Sequence, residues 1–352
     1  MKKLLLSLIV CTVAAMGSYA QDELVATLSH GSSLSTFLGA DAFKEAYETA
    51  VEGDVITLSP GVFNVCTIEK AITIRGAGMK AMESNGYVST QLADNLTVNV
   101  PSDATSVLTI EGIQALGYVK FYGNNQAPVK VLKCRFEDLV TGFGISMNAY
   151  SCIFANGLFA SYYNYYYQST TLNCMNCVIV EARTEGYTII NGTGYIAKII
   201  ATNCLVNTST SGIGYSVLTN CIITSVEGYF GDFPLPSSCT AQNCIGINAV
   251  ETPDLFVNLK DPSNVMIEGV REEAFTSVFK TLEVLLRNPN PNETFELTDE
   301  AAAKYLGDDG KQVGIYGGTN PFNPTPTNPQ IKKFSVSSTT EGEQLKVKID
   351  VQ

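Results

Sequence analysis

Six short segments repeat the order polar residue, cysteine, any residue, apolar residue, and nothing else in the chain constrains its fold as strongly. They are Lys133-Cys134-Arg135-Phe136, Ser151-Cys152-Ile153-Phe154, Asn176-Cys177-Val178-Ile179, Asn203-Cys204-Leu205-Val206, Asn220-Cys221-Ile222-Ile223 and Asn243-Cys244-Ile245. Successive cysteines are 18, 25, 27, 17 and 23 residues apart. A unit recurring at this irregular period buries its apolar face by stacking on its neighbours, and loops of variable length absorb the scatter. Alternate residues of a strand share a face. Cys177 with Ile179, Cys204 with Val206 and Cys221 with Ile223 therefore point inward together, the cysteines acting as small apolar core residues. The Asn before each Cys marks a bend between two strands, because asparagine tolerates the left-handed backbone better than most residues. Stacked Asn side chains are expected to hydrogen-bond from level to level.

Short apolar runs at Ala71 to Ile74, Val107 to Ile110, Val129 to Leu132 and Ile196 to Ile200, separated by Gly, Asn and Ser, supply further strands. Upstream, Ala42, Phe43, Ala46, Tyr47 and Ala50 are helically spaced, which predicts a short helix over Asp41 to Val51 covering the open end of the first level. Ala-Phe-Lys-Glu-Ala-Tyr from Ala42, Gly-Asp-Val-Ile-Thr-Leu-Ser-Pro-Gly-Val-Phe from Gly53 and Ile-Thr-Ile-Arg-Gly from Ile72 resemble the opening of pectate-lyase-like right-handed β-helix proteins, and the Asn-Cys units continue the likeness. Phe295-Glu296-Leu297, Ala301-Ala302-Ala303, Gly310 and Val313 to Gly318 resemble the closing segment of secreted β-helix proteins from Gram-negative anaerobes. The resemblance spans residues 38 to 318. It implies an all-β, single-domain right-handed parallel β-helix with an N-terminal capping helix, and it implies little about chemistry, because this superfold carries many activities.

Met1 to Ala20 has a basic end, an apolar run and a small-residue site before Gln21, and reads as a signal peptide. Export to the periplasm, cell surface or exterior is the expectation. Residues 21–318 are then the β-helix, 319–330 a Pro/Asn/Thr linker, and 331–352 a β-hairpin or docking tail. The formal charge of −12 becomes −14 once Lys2 and Lys3 are removed, which argues against nucleic acid and anionic membranes as partners. From Tyr118 to Val250 six acids face six bases. Such a sparsely charged middle suits a neutral polysaccharide, or another surface protein, better than an acidic polymer.

His30 is the only histidine, so His triads and His-rich metal sites are not expected. The motifs of the family's polygalacturonases are missing: Asp308-Asp309, the sole adjacent Asp pair, falls in the closing segment. Pectate lyases bind calcium through carboxylates and abstract a proton with Arg or Lys. The resemblance therefore makes Glu181, Arg183, Glu185 and Lys198 the remnants to inspect, and calcium the cofactor only if lyase activity holds. Alternation from Cys177 would turn Glu181 into the core, so 181–186 reads better as a solvated loop. Cys174 and Cys177 form a C-x-x-C, but an offset of three along one strand places them on opposite faces, against a zinc or redox site. Nine cysteines remain after export, mostly as buried free thiols. Tyrosine is the distinctive feature: twelve of seventeen lie between Tyr118 and Tyr229, among them Tyr162, Tyr163, Tyr165, Tyr166 and Tyr167. Such a run suits stacking on sugar rings or a protein interface. The function expected is a non-catalytic secreted or surface protein binding glycan or a partner through this Tyr-rich face. The alternatives are a polysaccharide lyase or glycosidase with a non-standard site, and a structural spacer.

Overall fold

The computed structural model describes residues 24–79, 89–99, 103–123, 128–161, 169–184, 187–190, 193–208, 213–225, 239–247, 261–267, 271–281, 289–290, 293–327, 331–336 and 347–351. The strands are mostly parallel and collect in two large sheets. In order across the first lie Val55–Leu58, Thr73–Arg75, Thr109–Glu111, Val129–Leu132, Ser146–Tyr150, Thr170–Met175, Thr193–Thr202, Val217–Thr219 and Thr240–Gln242. Across the second lie Gly61–Phe63, Thr90–Leu92, Ile113–Ala115, Arg135–Phe136, Ile153–Phe154, Val178–Thr184, Leu205–Thr208, Ile222–Ser225, Ile245–Ile247 and Val265–Ile267. Up to Ile247 the chain alternates between the sheets, adding one strand to each per cycle. A branch of the second sheet, Leu96–Asn99, Val119–Tyr122, Val140–Phe143 and Leu158–Ser161, joins Val178–Thr184.

The start is antiparallel. Val25–His30 pairs with both Ser33–Leu38 and Val55–Leu58, and helix α1, Ala42–Thr49, packs Ala42, Phe43, Ala46 and Tyr47 against the core. Its last carbonyls are satisfied by Lys70, whose Nζ donates to the oxygens of Tyr47, Glu48 and Ala50, as a cation at a helix C-terminus should. The sole histidine, His30, places Nδ1 2.7 Å from the buried Asp54 carboxylate, tying the hairpin to the first parallel strand.

From the Lys133 level onward, each passage from first to second sheet turns on one residue with positive φ. Lys133, Ser151, Asn176, Asn203, Asn220 and Asn243 sit between 51° and 54°, the left-handed region expected of the residue before each Cys. The bend aims its N–H along the stack: Lys133, Ser151, Asn176, Asn203 and Asn220 donate to the carbonyls of Tyr150, Met175, Thr202, Thr219 and Gln242 at the next level. The following cysteine repeats the step. Cys152, Cys177, Cys204 and Cys221 donate N–H to the sulfur of the next column cysteine at 3.4 Å. The turn also resets side-chain alternation, which corrects the expectation for the C-x-x-C. Cys174 closes one strand and Cys177 opens the next across the bend at Asn176, so both point into the core.

Between Arg135–Phe136 and Ile245–Ile247 the second sheet, apart from its branch, is buried on both faces. Inward residues Cys177, Ile179, Cys204, Val206 and Ile223 join the central core, whereas Ile153, Val178, Val180, Leu205, Ile222 and Ile245 form a row on the outer face. Residues from 274 onward cover that row with Ala274, Phe275, Val278, Phe279, Phe295, Leu297, Val313 and Ile315. Double burial is why these strands read as unbroken apolar runs rather than alternating ones.

From Gly307 the chain runs back along the bend. Gly314 N–H donates to the Asn220 carbonyl, and Asn220 Nδ2 donates to Asp308. Asn176 Nδ2 donates to the Ile315 and Gly317 carbonyls at 2.8 and 2.9 Å. Asn323 N–H donates to Ser151 Oγ, Lys133 Nζ to the Thr325 carbonyl, and Thr327 N–H and Oγ1 to the buried Glu111 carboxylate. The side chains of Asn176 and Asn220 therefore bond this strap and not one another, contrary to the level-to-level ladder expected of them. The run expected as a linker is held down as far as Thr327. Gly318, φ +76°, passes so close to Asn203 that a Cβ would overlap its amide. Beyond it Ile331–Val336 pairs antiparallel with Val347–Val351.

Two consequences are measurable. Asn176→Ala loses both the tolerated left-handed conformer and two bonds to strap carbonyls, and should lower stability by about 2–4 kcal/mol in urea unfolding. Asn176→Gly keeps the conformer and should cost about 1 kcal/mol less. Burial pushes the Cys66 thiol up to about 11 and the Cys134 and Cys239 thiols up to about 12, so thiolate is scarce at neutral pH. In folded residues 21–352 no fast reaction with a disulfide reagent at neutral pH is expected, and all nine free cysteines should react once the chain is denatured.

Candidate functional site

The branch strands place alternate residues outward, in register from level to level. One column is Thr97, Lys120, Thr141, Phe159 and Arg183. The next is Asn99, Tyr122, Phe143 and Ser161. Between them Val98, Phe121 and Ala160 enter the core, which fixes the outward direction of the rest. Phe143 and Tyr122 stack at 5.4 Å between centroids. Lys120 Nζ lies 5.0 Å over the Tyr118 ring, and Tyr118 Oη is 3.0 Å from Thr141 Oγ1. Thr141 and Ser161 are buried, while Tyr118, Lys120, Tyr122, Phe143 and Phe159 are half-buried. The five half-buried groups form a mixed aromatic and cationic surface.

Its far end is the Glu181–Arg183 pair. The strand does not stop at Val180, as the loop reading required. It runs to Thr184 with Glu181 at φ +58° and a register shift between Ile179 and Ala182. That irregularity is a bulge: one extra residue leaves the ladder, and alternation resumes with Ala182 inward and Arg183 outward. Glu181 is 3% exposed, not solvated, and accepts a hydrogen bond from Arg183 Nη2. The Arg183 side chain is 35% exposed.

The other sequence-predicted residues are not brought here together. Lys198 lies on Thr193–Thr202 of the first sheet, so the expected Glu, Arg and Lys set is split between two sheets. Glu185 and the run Tyr162, Tyr163, Tyr165, Tyr166 and Tyr167 lie outside the described residues; Ser161, which ends the branch strand, immediately precedes that run. Among the described residues no three His, Cys, Asp or Glu side chains group as metal ligands. Sequence reasoning missed Lys120, Tyr122, Phe143 and Phe159, whose strands carry no Asn-Cys marker. The available signal was the two-residue alternation of Tyr118-Val119-Lys120-Phe121-Tyr122.

Removing one member of a pair with a buried carboxylate costs more than removing both. Arg183→Ala should therefore lower stability by roughly 1–3 kcal/mol, with part of the loss recovered on adding Glu181→Gln, as read in a double-mutant cycle by urea unfolding. No protein-family model matches the chain, and neither a curated protein nor a solved structure gives a significant match.

Proposed function

We propose that this chain is an exported right-handed parallel β-helix that binds a neutral glycan on the outward face of the branch strands and does not cleave it. The β-helix reading draws on the two parallel sheets fed alternately by the chain and on the left-handed bend repeated at each passage from the Lys133 level onward. The binding reading draws on one contrast. The apolar outer row of the second sheet is sealed by the C-terminal segment, whereas Tyr118, Lys120, Tyr122, Phe143 and Phe159 are left partly open. Rings with hydroxyl and cationic neighbours suit sugar rings, which present apolar faces edged by hydroxyls. Arg183 is neutralised by Glu181, so the face carries little net charge, in keeping with an uncharged ligand. The run of tyrosines from Tyr162 continues the same composition in sequence.

The test is retention of neutral polysaccharides by residues 21–352, alongside product chain length with and without calcium. Binding without shortening is expected. Phe159→Ala with Tyr122→Ala, and separately Tyr163, Tyr165 and Tyr167 to Ala, should each weaken retention at least about tenfold, a loss of about 1.4 kcal/mol, with melting little changed. Shortened chains would replace this reading with a lyase or hydrolase, and no retention across the panel would remove it.

A further inference from the structure

The outward face of the first sheet is a second, separate surface. Three columns cross it. One runs Thr73, Thr109, Lys130, Asn148, Asn173, Ile200, Val217 and Thr240, and the next Arg75, Glu111, Leu132, Tyr150, Met175, Thr202, Thr219 and Gln242. The third adds Ser146, Thr171 and Lys198. The residues between, such as Ile110, Val131, Ala149, Ala201 and Leu218, are buried in the core. No residue in the columns but Glu111 is buried: Leu132, Tyr150 and Ile200 are half-exposed, and Met175 and Val217 are 37% and 41% exposed. Nine parallel strands make the face about 38 Å long, at about 4.8 Å per step.

The charges on this face are one-sided. Glu111, the only acid in these columns, is 2% exposed and already accepts from Thr327 while lying 3.7 Å from Arg75 Nε. Lys130 is exposed and Lys198 half-exposed, and neither takes part in an ion pair or side-chain hydrogen bond among the described residues. Lys130 stands three levels from Ile200, about 14 Å along the stack, and Lys198 lies on the same strand as Ile200. Tyr150 and Met175 stand at the intervening levels in the column of Leu132, and Asn148 and Asn173 separate that column from the one that carries Lys198. The Asn148 and Asn173 amides bond each other at 3.0 Å beside this stripe.

We propose that this face docks a protein partner that presents acidic side chains beside apolar ones, seated over Leu132, Tyr150 and Met175 with Lys130 and Lys198 along one side of them. Charge complementarity selects the occupant. In a chain of formal charge −12, two lysines with no acid paired to them among the described residues attract acid and repel a second copy packed face to face, since lysine would then meet lysine. The aliphatic and thioether groups select protein over glycan: Met and Tyr are enriched at protein interfaces, whereas Leu, Met, Ile and Val offer sugars no ring to stack on. A face of this length fits the small, weaker class of interface. It shares no residue with the glycan face, so either proposal stands without the other.

The probes are a random glutamate–tyrosine copolymer, polyglutamate and hyaluronan, titrated at low ionic strength against residues 21–352. The copolymer should bind at least about tenfold more tightly than polyglutamate. Lys130→Glu with Lys198→Glu should weaken copolymer binding at least about tenfold. Met175→Asp should remove the preference over polyglutamate. Lys44→Glu, at an exposed position of helix α1, should change neither. All of these side chains are half-exposed or exposed, so melting temperatures should stay close to the parent's. Failure of the copolymer to bind, or equal sensitivity to Lys44→Glu, would overturn the proposal. Hyaluronan binding that depends on Lys130 and Lys198 but not on Met175 would also overturn it, assigning the face to an acidic glycan.

Discussion

From Gly112 onward, one left-handed residue per cycle, between the first sheet and the second, is the constraint on which the rest of the structure depends. Its backbone sends the chain round a sharp corner, and its N–H is thereby directed along the stack to the carbonyl of the next level. The residue after it must be small and able to accept a hydrogen bond from below, because its sulfur receives the N–H of the previous cysteine. Valine or alanine would fill the space without offering that acceptor. Cysteine supplies both properties, a small apolar body and a weak acceptor, which gives a physical reason for a column of free thiols in place of an aliphatic one.

The corner also decides how the molecule is closed on its outer side. A left-handed position turns the side chain outward, where Asn176 and Asn220 present amides and Ser151 and Lys133 present a hydroxyl and an ammonium to the returning strap. At the level of Gly112 the residue has no side chain at all, and Pro326 lies against it. Choice of corner residue therefore answers two demands, tolerance of positive φ and a partner for whatever part of the strap lies above. The strap in turn carries the segment that seals the outer apolar row of the second sheet. Without that cover, Ile153, Val178, Leu205 and Ile222 would form an exposed stripe of the kind that drives aggregation.

How much of this was legible follows from which interactions are local. The Cys units carried the bends and the inward pairs, and the apolar spacing from Ala42 placed a helix within two residues of Ala42–Thr49, because local backbone preference and side-chain period carry those facts. What failed was the detail that strict two-residue alternation and the local pattern do not carry. Counting alternation straight through Asn176 put Cys174 and Cys177 apart, since a turn resets the count. Counting it straight through Glu181 produced a loop, since a bulge resets it as well. The partners of the Asn side chains, 139 and 141 residues away for Asn176, left no trace in the local pattern. Grouping Lys198 with Glu181 assumed that neighbours in sequence share a face, and the change of sheet between them undoes it.

The same reasoning explains why the two open faces differ from the sealed one. A parallel sheet fed by crossovers is ordinarily covered on both sides, and the second sheet obeys this by recruiting its own C-terminal segment. The first sheet and the branch escape the rule by composition. Their outward columns interleave Thr, Asn, Lys and Tyr with a few apolar groups, so water satisfies them at little cost. A chain that had only to remain folded would gain by making those columns uniformly polar. Retaining Tyr150 and Met175 on one face, and Tyr122, Phe143 and Phe159 on the other, forgoes that solubility at the positions where cations stand beside them. A stack whose levels are spaced by the backbone alone can hold such columns rigid without any contribution from the side chains in them. The core beneath thus keeps the outward columns in order, whichever side chains occupy them.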